Sequence, residues 1–165
     1  MELFRQELIR LLPHLRRYAR ALINHNEAAD DLVQDCLERV LSKQHLWDPD
    51  KAMKPWLLTI LHNVFANNAR QYRRTPSLIS IHDIEEISDT VCTSDIYLND
   101  LQYALEQLSP EHREVILLVG LEQMSYKDTA RILDIPLGTI MSRLTRARQN
   151  LRKIMNNTAN TAEAV

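Results

Sequence analysis

The chain has 165 residues, 20 Lys+Arg against 22 Asp+Glu for a formal net charge of −2, and only 2 glycines. Two glycines cannot write a Walker loop or a dinucleotide fingerprint, whose clustered glycines let backbone approach phosphate, and they leave hairpin-rich folds short of positive-φ positions. The near-neutral balance speaks against a nucleic-acid binder, unless the average hides a pattern. The expected fold is all-α, and nucleotide-dependent enzymes of the common folds are set aside.

The first predicted helix spans 3–22, with Leu8, Leu11, Leu15, Tyr18, Ala19 and Leu22 at helical spacing and Pro13 as a kink or a break. After a turn at 24–27, the second helix spans 27–45. Leu32, Val33, Cys36, Leu37 and Val40 make its apolar face, and Asp31, Gln34, Asp35 and Glu38 gather opposite. Spacing alone leaves two readings of that acidic stripe, a solvated face or a surface offered to a partner. A loop over 45–55 carries Trp47 and Pro49, and Pro55 is placed as the first residue of a third helix, 55–74. Its core stripe is Leu57, Ile60, Leu61 and Val64. Asn63, Asn67, Arg70 and Arg74 recur along one polar edge. Asparagine is a mediocre helix former, but it offers donors and acceptors to base edges, while arginine supplies charge for phosphate.

Charge then changes character. Residues 1–80 hold 12 basic and 9 acidic residues, residues 81–109 hold 7 acids and no Lys or Arg, and residues 110–165 hold 8 basic and 6 acidic. The deficit belongs to the middle. This predicts two small helical domains, 1–74 and 96–155, joined by a flexible acidic linker over 75–95, with a frayed tail over 156–165.

The second domain is predicted to start with a helix over 96–108 whose Leu98, Leu101, Leu105 and Leu108 face inward. Ser109-Pro110-Glu111 reads as a cap, a first-position proline and a first-turn acid, opening the mostly buried helix PEHREVILLVGL. Ser125 and Asp128 form a capping-box pattern before a short helix to Leu133. DIPLG makes a tight turn into a longer helix with a core stripe of Ile140, Leu144, Ala147, Leu151 and Ile154. Ser142, Thr145, Arg146, Gln149 and Lys153 face away, flanked by Arg143, Arg148 and Arg152. Residues 138–153 hold five basic residues and no acid. Two helices, a short turn and a basic second helix make a helix-turn-helix, whose second helix enters the major groove.

Three blocks in order, DDLVQD at 30–35, PWLLTILHNVFANNAR at 55–70 and LSPEHREVILLVGLEQMSYKDTARILDIPLGTIMSRLTRAR at 108–148, make the chain resemble a sigma factor of the extracytoplasmic-function (ECF) group of the sigma-70 family. The resemblance spans roughly 8–155. It implies that Asp31, Gln34, Asp35 and Glu38 bind core RNA polymerase at the β′ clamp, with the β subunit as a further contact. It implies that the loop around Trp47–Lys54 captures a base flipped from the minus-ten element. Asn63 and Asn67 would read that element, and Arg70 and Arg74 would hold the strand. Trp47 is open between a stacking wall and a core residue. Thr139, Ser142, Arg143, Thr145, Arg146 and Arg148 would read the minus-thirty-five element in duplex promoter DNA. The connector would thread toward the polymerase channels, and an anti-sigma factor is an implied partner. Asp134 stands where the family often has glycine, and Phe65 and Asn67 replace a frequent small residue and an aspartate, so the promoter preference does not carry over.

No nucleophile–base pair appears, and the six histidines never pair at helical spacing. The expectation is a non-enzyme without cofactor or metal. Cys36 and Cys92 form no CxxC motif, the amphipathic start MELFRQELIRLL is unlike a signal peptide, and VILLVGL is too short to span a bilayer. A cytoplasmic protein that is not itself a membrane protein is expected. Two rivals remain: a stand-alone helix-turn-helix regulator, and a sigma mimic that titrates an anti-sigma factor.

Overall fold

A computed structural model describes residues 2–74 and 93–162, with side chains described for 2–71 and 98–157. The acidic connector lies almost wholly outside those residues. Among the described residues the structure is helical, without strands.

Helix α1, Glu2–Leu22, runs unbroken through Pro13 and buries Phe4, Leu11, Leu15, Tyr18, Ala19 and Leu22. Pro13 and Ile9, four residues earlier, are both exposed, so the backbone bond that proline removes lies on the solvent side. Helix α2, Asn26–Ser42, starts on the His25 side chain, whose Nδ1 accepts from Ala28 N. It ends three residues earlier than its pattern suggests, and a 3-10 turn, Gln44–Leu46, follows. Helix α3, Met53–Arg74, begins two residues earlier than predicted. Pro55 therefore sits third rather than first, still within the turn whose N–H groups need no helical partner.

Helix α4 spans Thr93–Glu106. Leu105 and Leu108 are buried as predicted, but Leu98 is 61% exposed and Leu101 38%. The inward leucine stripe is thus half right: only its C-terminal end meets the core. Helix α5, Pro110–Ile116, has Ser109 as its cap, accepting from His112 N, with Pro110 at the first position. The predicted single helix then widens into a π turn, Leu117–Leu121, which places Glu122 at its end. Helix α6, Tyr126–Leu133, opens on the expected capping pair. Asp128 N donates to Ser125 Oγ at 3.0 Å, and Ser125 Oγ donates to Asp128 Oδ2 at 2.7 Å. Helix α7, Leu137–Ala162, continues past 155 through most of the segment predicted to fray.

Asp134 ends α6 at φ 52, ψ 48, the left-handed region that glycine occupies freely and aspartate tolerates. Asp134→Gly is expected to raise stability slightly and Asp134→Val to lower it by about 1–2 kcal/mol. Urea midpoints check this; equal midpoints for the two variants would show that the turn relaxes.

Helices α1, α2 and α3 pack together, and α4, α5 and α6 each pack on α7. The two groups also meet, because α3 lies against α6 and α1 against α5 and the π turn. Buried residues of both halves, from Leu15 and Leu61 to Leu118 and Ile140, belong to a single apolar cluster.

Candidate nucleic-acid and polymerase interfaces

The period of α2 separates its two faces. Ala29, Leu32, Val33, Cys36 and Val40 are buried, while Asp31, Gln34, Asp35 and Glu38 are all exposed. None of these four pairs with another described residue. Burial pushes the Cys36 thiol up to about 12, against a smaller opposing pull from Arg39, so Cys36 is an inert core group.

Asn63, Asn67 and Arg70 are exposed along α3, while Leu57, Leu58, Leu61 and Val64 hold the helix to the core. Arg74 closes the helix, and its side chain lies outside the described residues. Trp47 is half-buried. Its ring meets Phe4 edge-on, with centroids 5.5 Å apart and planes at 62°. Its indole Nε1 is buried with no partner among the described residues. Trp47 thus packs on α1 and also lines a cleft of about 560 Å³ with Pro49, Lys51, Met53 and Lys54. In the same loop Asp48 accepts from Asp50 N at 3.0 Å and pairs with Lys51 at 3.0 Å. The bond from Lys51, helped by the one from Asp50, holds the Asp48 carboxyl below its ordinary value. A cleft of this size falls in the range of small-ligand pockets.

In α7, Ile140, Leu144 and Ala147 are buried. Ser142, Thr145, Arg146 and Arg148 are exposed, and Thr139 is half-buried. The hydroxyls of Ser142 and Thr145 donate to the carbonyls of Thr139 and Met141 at 3.1 and 2.9 Å. Their oxygens point along the helix and keep acceptor capacity. Arg143 differs from its neighbours: it is less exposed and pairs with Glu111 of α5 at 3.4 Å. The exposed face also holds Leu137, at 48%, and Met141, at 52%, which the sequence reading missed. Polarity drew attention to the arginines. The usable clue was that both residues fall off the Ile140–Leu144–Ala147 stripe.

A second, larger groove of about 910 Å³ runs between α1 and α4, with Arg16, Arg17 and Arg20 on one side and Leu98 and Leu101 on the other. The basic run RRYAR in α1 and the misassigned leucines of α4 are its sequence traces.

The family model "Sigma2 domain of PhyR" matches residues 8–62, and "Sigma-70, region 4" matches 98–151. The ECF RNA polymerase sigma factor EcfG of Rhodopseudomonas palustris is 31% identical over 160 residues, covering 92% of this chain and 84% of that protein. The ECF sigma factor SigE of Mycolicibacterium smegmatis is 33% identical over 161 residues, covering 92% of this chain and 59% of that protein. Among solved structures, the sigma factor RpoE of Bartonella quintana, in complex with the anti-sigma factor NepR, superposes with a TM-score of 0.80 at 35% identity, over 94% of this chain and 98% of that one. Both halves match sigma-domain models in the expected order, and full-length likeness extends to a named relative: the chain belongs to the ECF RNA polymerase sigma factor family.

Proposed function

We propose that this protein is a promoter-specificity subunit that docks on core RNA polymerase through Asp31, Gln34, Asp35 and Glu38. In this reading it recognises and helps to open the minus-ten element with Asn63, Asn67, Arg70 and Arg74. The cleft beside Trp47 receives the extruded base, whose extraction costs a few kcal/mol. Thr139, Ser142, Thr145, Arg146 and Arg148 contact the minus-thirty-five element. Met141 and Leu137 are placed to touch thymine methyl groups, and Arg143 acts chiefly in holding α7 to α5. The observation that carries the reading is the coexistence, on one chain, of an exposed acidic stripe on α2, an exposed edge of Asn63, Asn67 and Arg70 on α3 and an exposed basic face on α7.

Run-off transcription with core polymerase on a pool of promoters tests it. Initiation at a defined promoter subset is expected; no initiation with any core polymerase would favour a stand-alone regulator or a mimic. The mimic has one observation in its favour, the match of residues 8–62 to the Sigma2 domain of PhyR. The exposed Arg146 and Arg148 oppose it, because a protein that only titrates an anti-sigma factor has no use for a basic reading face. Arg146→Ala is expected to weaken minus-thirty-five-dependent promoters by about 1–3 kcal/mol, roughly 5- to 150-fold. An unchanged promoter profile would remove Arg146 from the reading set.

The RpoE–NepR complex supports an anti-sigma factor as a partner. The groove between α1 and α4 is where such a protein would reach both halves at once, its acids meeting Arg16 and Arg20 and its apolar side chains meeting Leu98 and Leu101.

A further inference from the structure

Glu122, at the end of the π turn, is a carboxylate of the second half with a side-chain exposure of 0%, and among the described residues the side chains that pair with it, His14, Arg17 and Lys54, all come from the first half. Arg17 Nη2 lies 2.9 Å from its Oε1, Lys54 Nζ 2.8 Å from its Oε2 and His14 Nδ1 3.2 Å from its Oε2. Lys54 Nζ also donates to the Glu122 backbone carbonyl at 2.8 Å, and Arg17 Nη2 to the Leu121 carbonyl at 3.3 Å. Burial alone would raise the carboxyl, but the bonds from Lys54 and Arg17 outweigh it and hold Glu122 below its ordinary value. The carboxylate therefore stays ionised, and its charge is met only while the halves touch. Nearby, Glu114 Oε1 of α5 meets His62 Nδ1 of α3 at 2.7 Å.

The two reader helices cannot work in this arrangement. Elements centred near minus ten and minus thirty-five are about 25 base pairs apart, roughly 85 Å along B-DNA at 3.4 Å per base pair. A compact body of 165 residues has a radius of gyration of about 15 Å, hence a diameter of roughly 40 Å. With α3 packed on α6, both readers belong to one such body. Lys54 lines the cleft beside Trp47, and its ammonium is engaged by the Glu122 carboxylate and carbonyl.

We infer that Glu122 is the latch of a closed, self-restrained state of the free chain, held by Arg17 and Lys54, and that this latch must break before the two halves can engage a promoter together. The need for opening rests on the promoter-subunit reading above; the latch does not. Opening hydrates Arg17, already 49% exposed, and releases the Lys54 ammonium at the cleft it lines. A partner that requires the open state binds with an affinity reduced by the open fraction, so loosening the latch strengthens that partner.

Small-angle scattering on the full chain at neutral pH tests the latch without any transcription. The wild type is expected to be compact, with a radius of gyration of about 15 Å. Glu122→Gln and, independently, Arg17→Gln are expected to be measurably larger with unchanged helical content. Arg17→Gln guards against a folding defect, because Arg17 lies on the solvent side of α1. A wild type already extended, or two variants both as compact as wild type, would overturn the latch. With core polymerase in hand, both variants should bind at least threefold tighter than wild type. Larger variants with unchanged or weaker polymerase affinity would keep the latch and overturn its role in restraint.

Discussion

A chain carrying Asp31→Ala and Asp35→Ala together is expected to lose core-polymerase affinity by at least about 30-fold, because truncating one partner of a buried charged pair costs about 2–5 kcal/mol. The same chain should fold as well as wild type. Both carboxylates are exposed in mid-α2 and pair with no other described residue. Alanine is also a better helix former than aspartate, by up to about 0.7 kcal/mol per site. Loss of affinity with an equal or higher melting temperature therefore points to the surface rather than to the fold. The measurement is fluorescence anisotropy of labelled protein against core polymerase, at two salt concentrations because rim charges are screened. Wild-type affinity in the double variant would remove α2 from the polymerase interface, whatever promoters the protein uses.

That experiment targets a surface legible from periodicity. In α2 and α3 a 3.6-residue period sorts buried from exposed positions, and the structure places Asp31, Gln34, Asp35, Glu38, Asn63 and Asn67 where the period puts them. Capping chemistry is equally local, so Ser109 and Ser125 were readable one turn at a time. Periodicity fails where one face has two possible coverings. The leucines of α4 share a stripe, but the stripe does not say how far the neighbouring helix extends, and Leu98 and Leu101 are left facing a groove. It also fails for a single loop residue such as Trp47, which has no repeat to assign it. Least legible were contacts between the halves. Glu122 is one acid in the run LEQMS, and its partners Lys54 and Arg17 stand 68 and 105 residues away. Nothing local distinguishes it from a solvated surface acid. The widening of the helix into a π turn at Leu117–Leu121 decides where its side chain points.

Arg113 belongs to the same class of hidden contact, and its removal should have the largest effect on stability of any single polar substitution described above. Its Nε donates to the Leu105 carbonyl at 2.7 Å, Nη2 to those of Glu106 and Leu108 at 2.7 and 3.1 Å, and Nη1 to that of Leu22 at 2.8 Å. Leu105, Glu106 and Leu22 lie in the last turns of α4 and α1, whose carbonyls have no partner within their own helices. One guanidinium thus closes the α4–α5 corner and ties it to the end of α1. Burial lowers the Arg113 pKa and the nearby Glu106 raises it, yet an arginine remains charged at any working pH. Arg113→Ala strands the carbonyls of Leu22, Glu106 and Leu108 in a partly buried corner, while that of Leu105 keeps the Leu108 N–H at 3.2 Å, and the expected loss is about 3 kcal/mol, or roughly 6–12 °C in melting temperature for a chain of this size. Arg113→Lys should recover less than half of that, since an ammonium on a flexible stem cannot reach four carbonyls spread across the plane of a fork. Thermal and urea unfolding followed by circular dichroism measure both variants. A shift below about 2 °C for the alanine variant would mean that water replaces the guanidinium at little cost. The corner would then be held by the apolar packing of Leu105, Leu108 and Val115 rather than by the arginine.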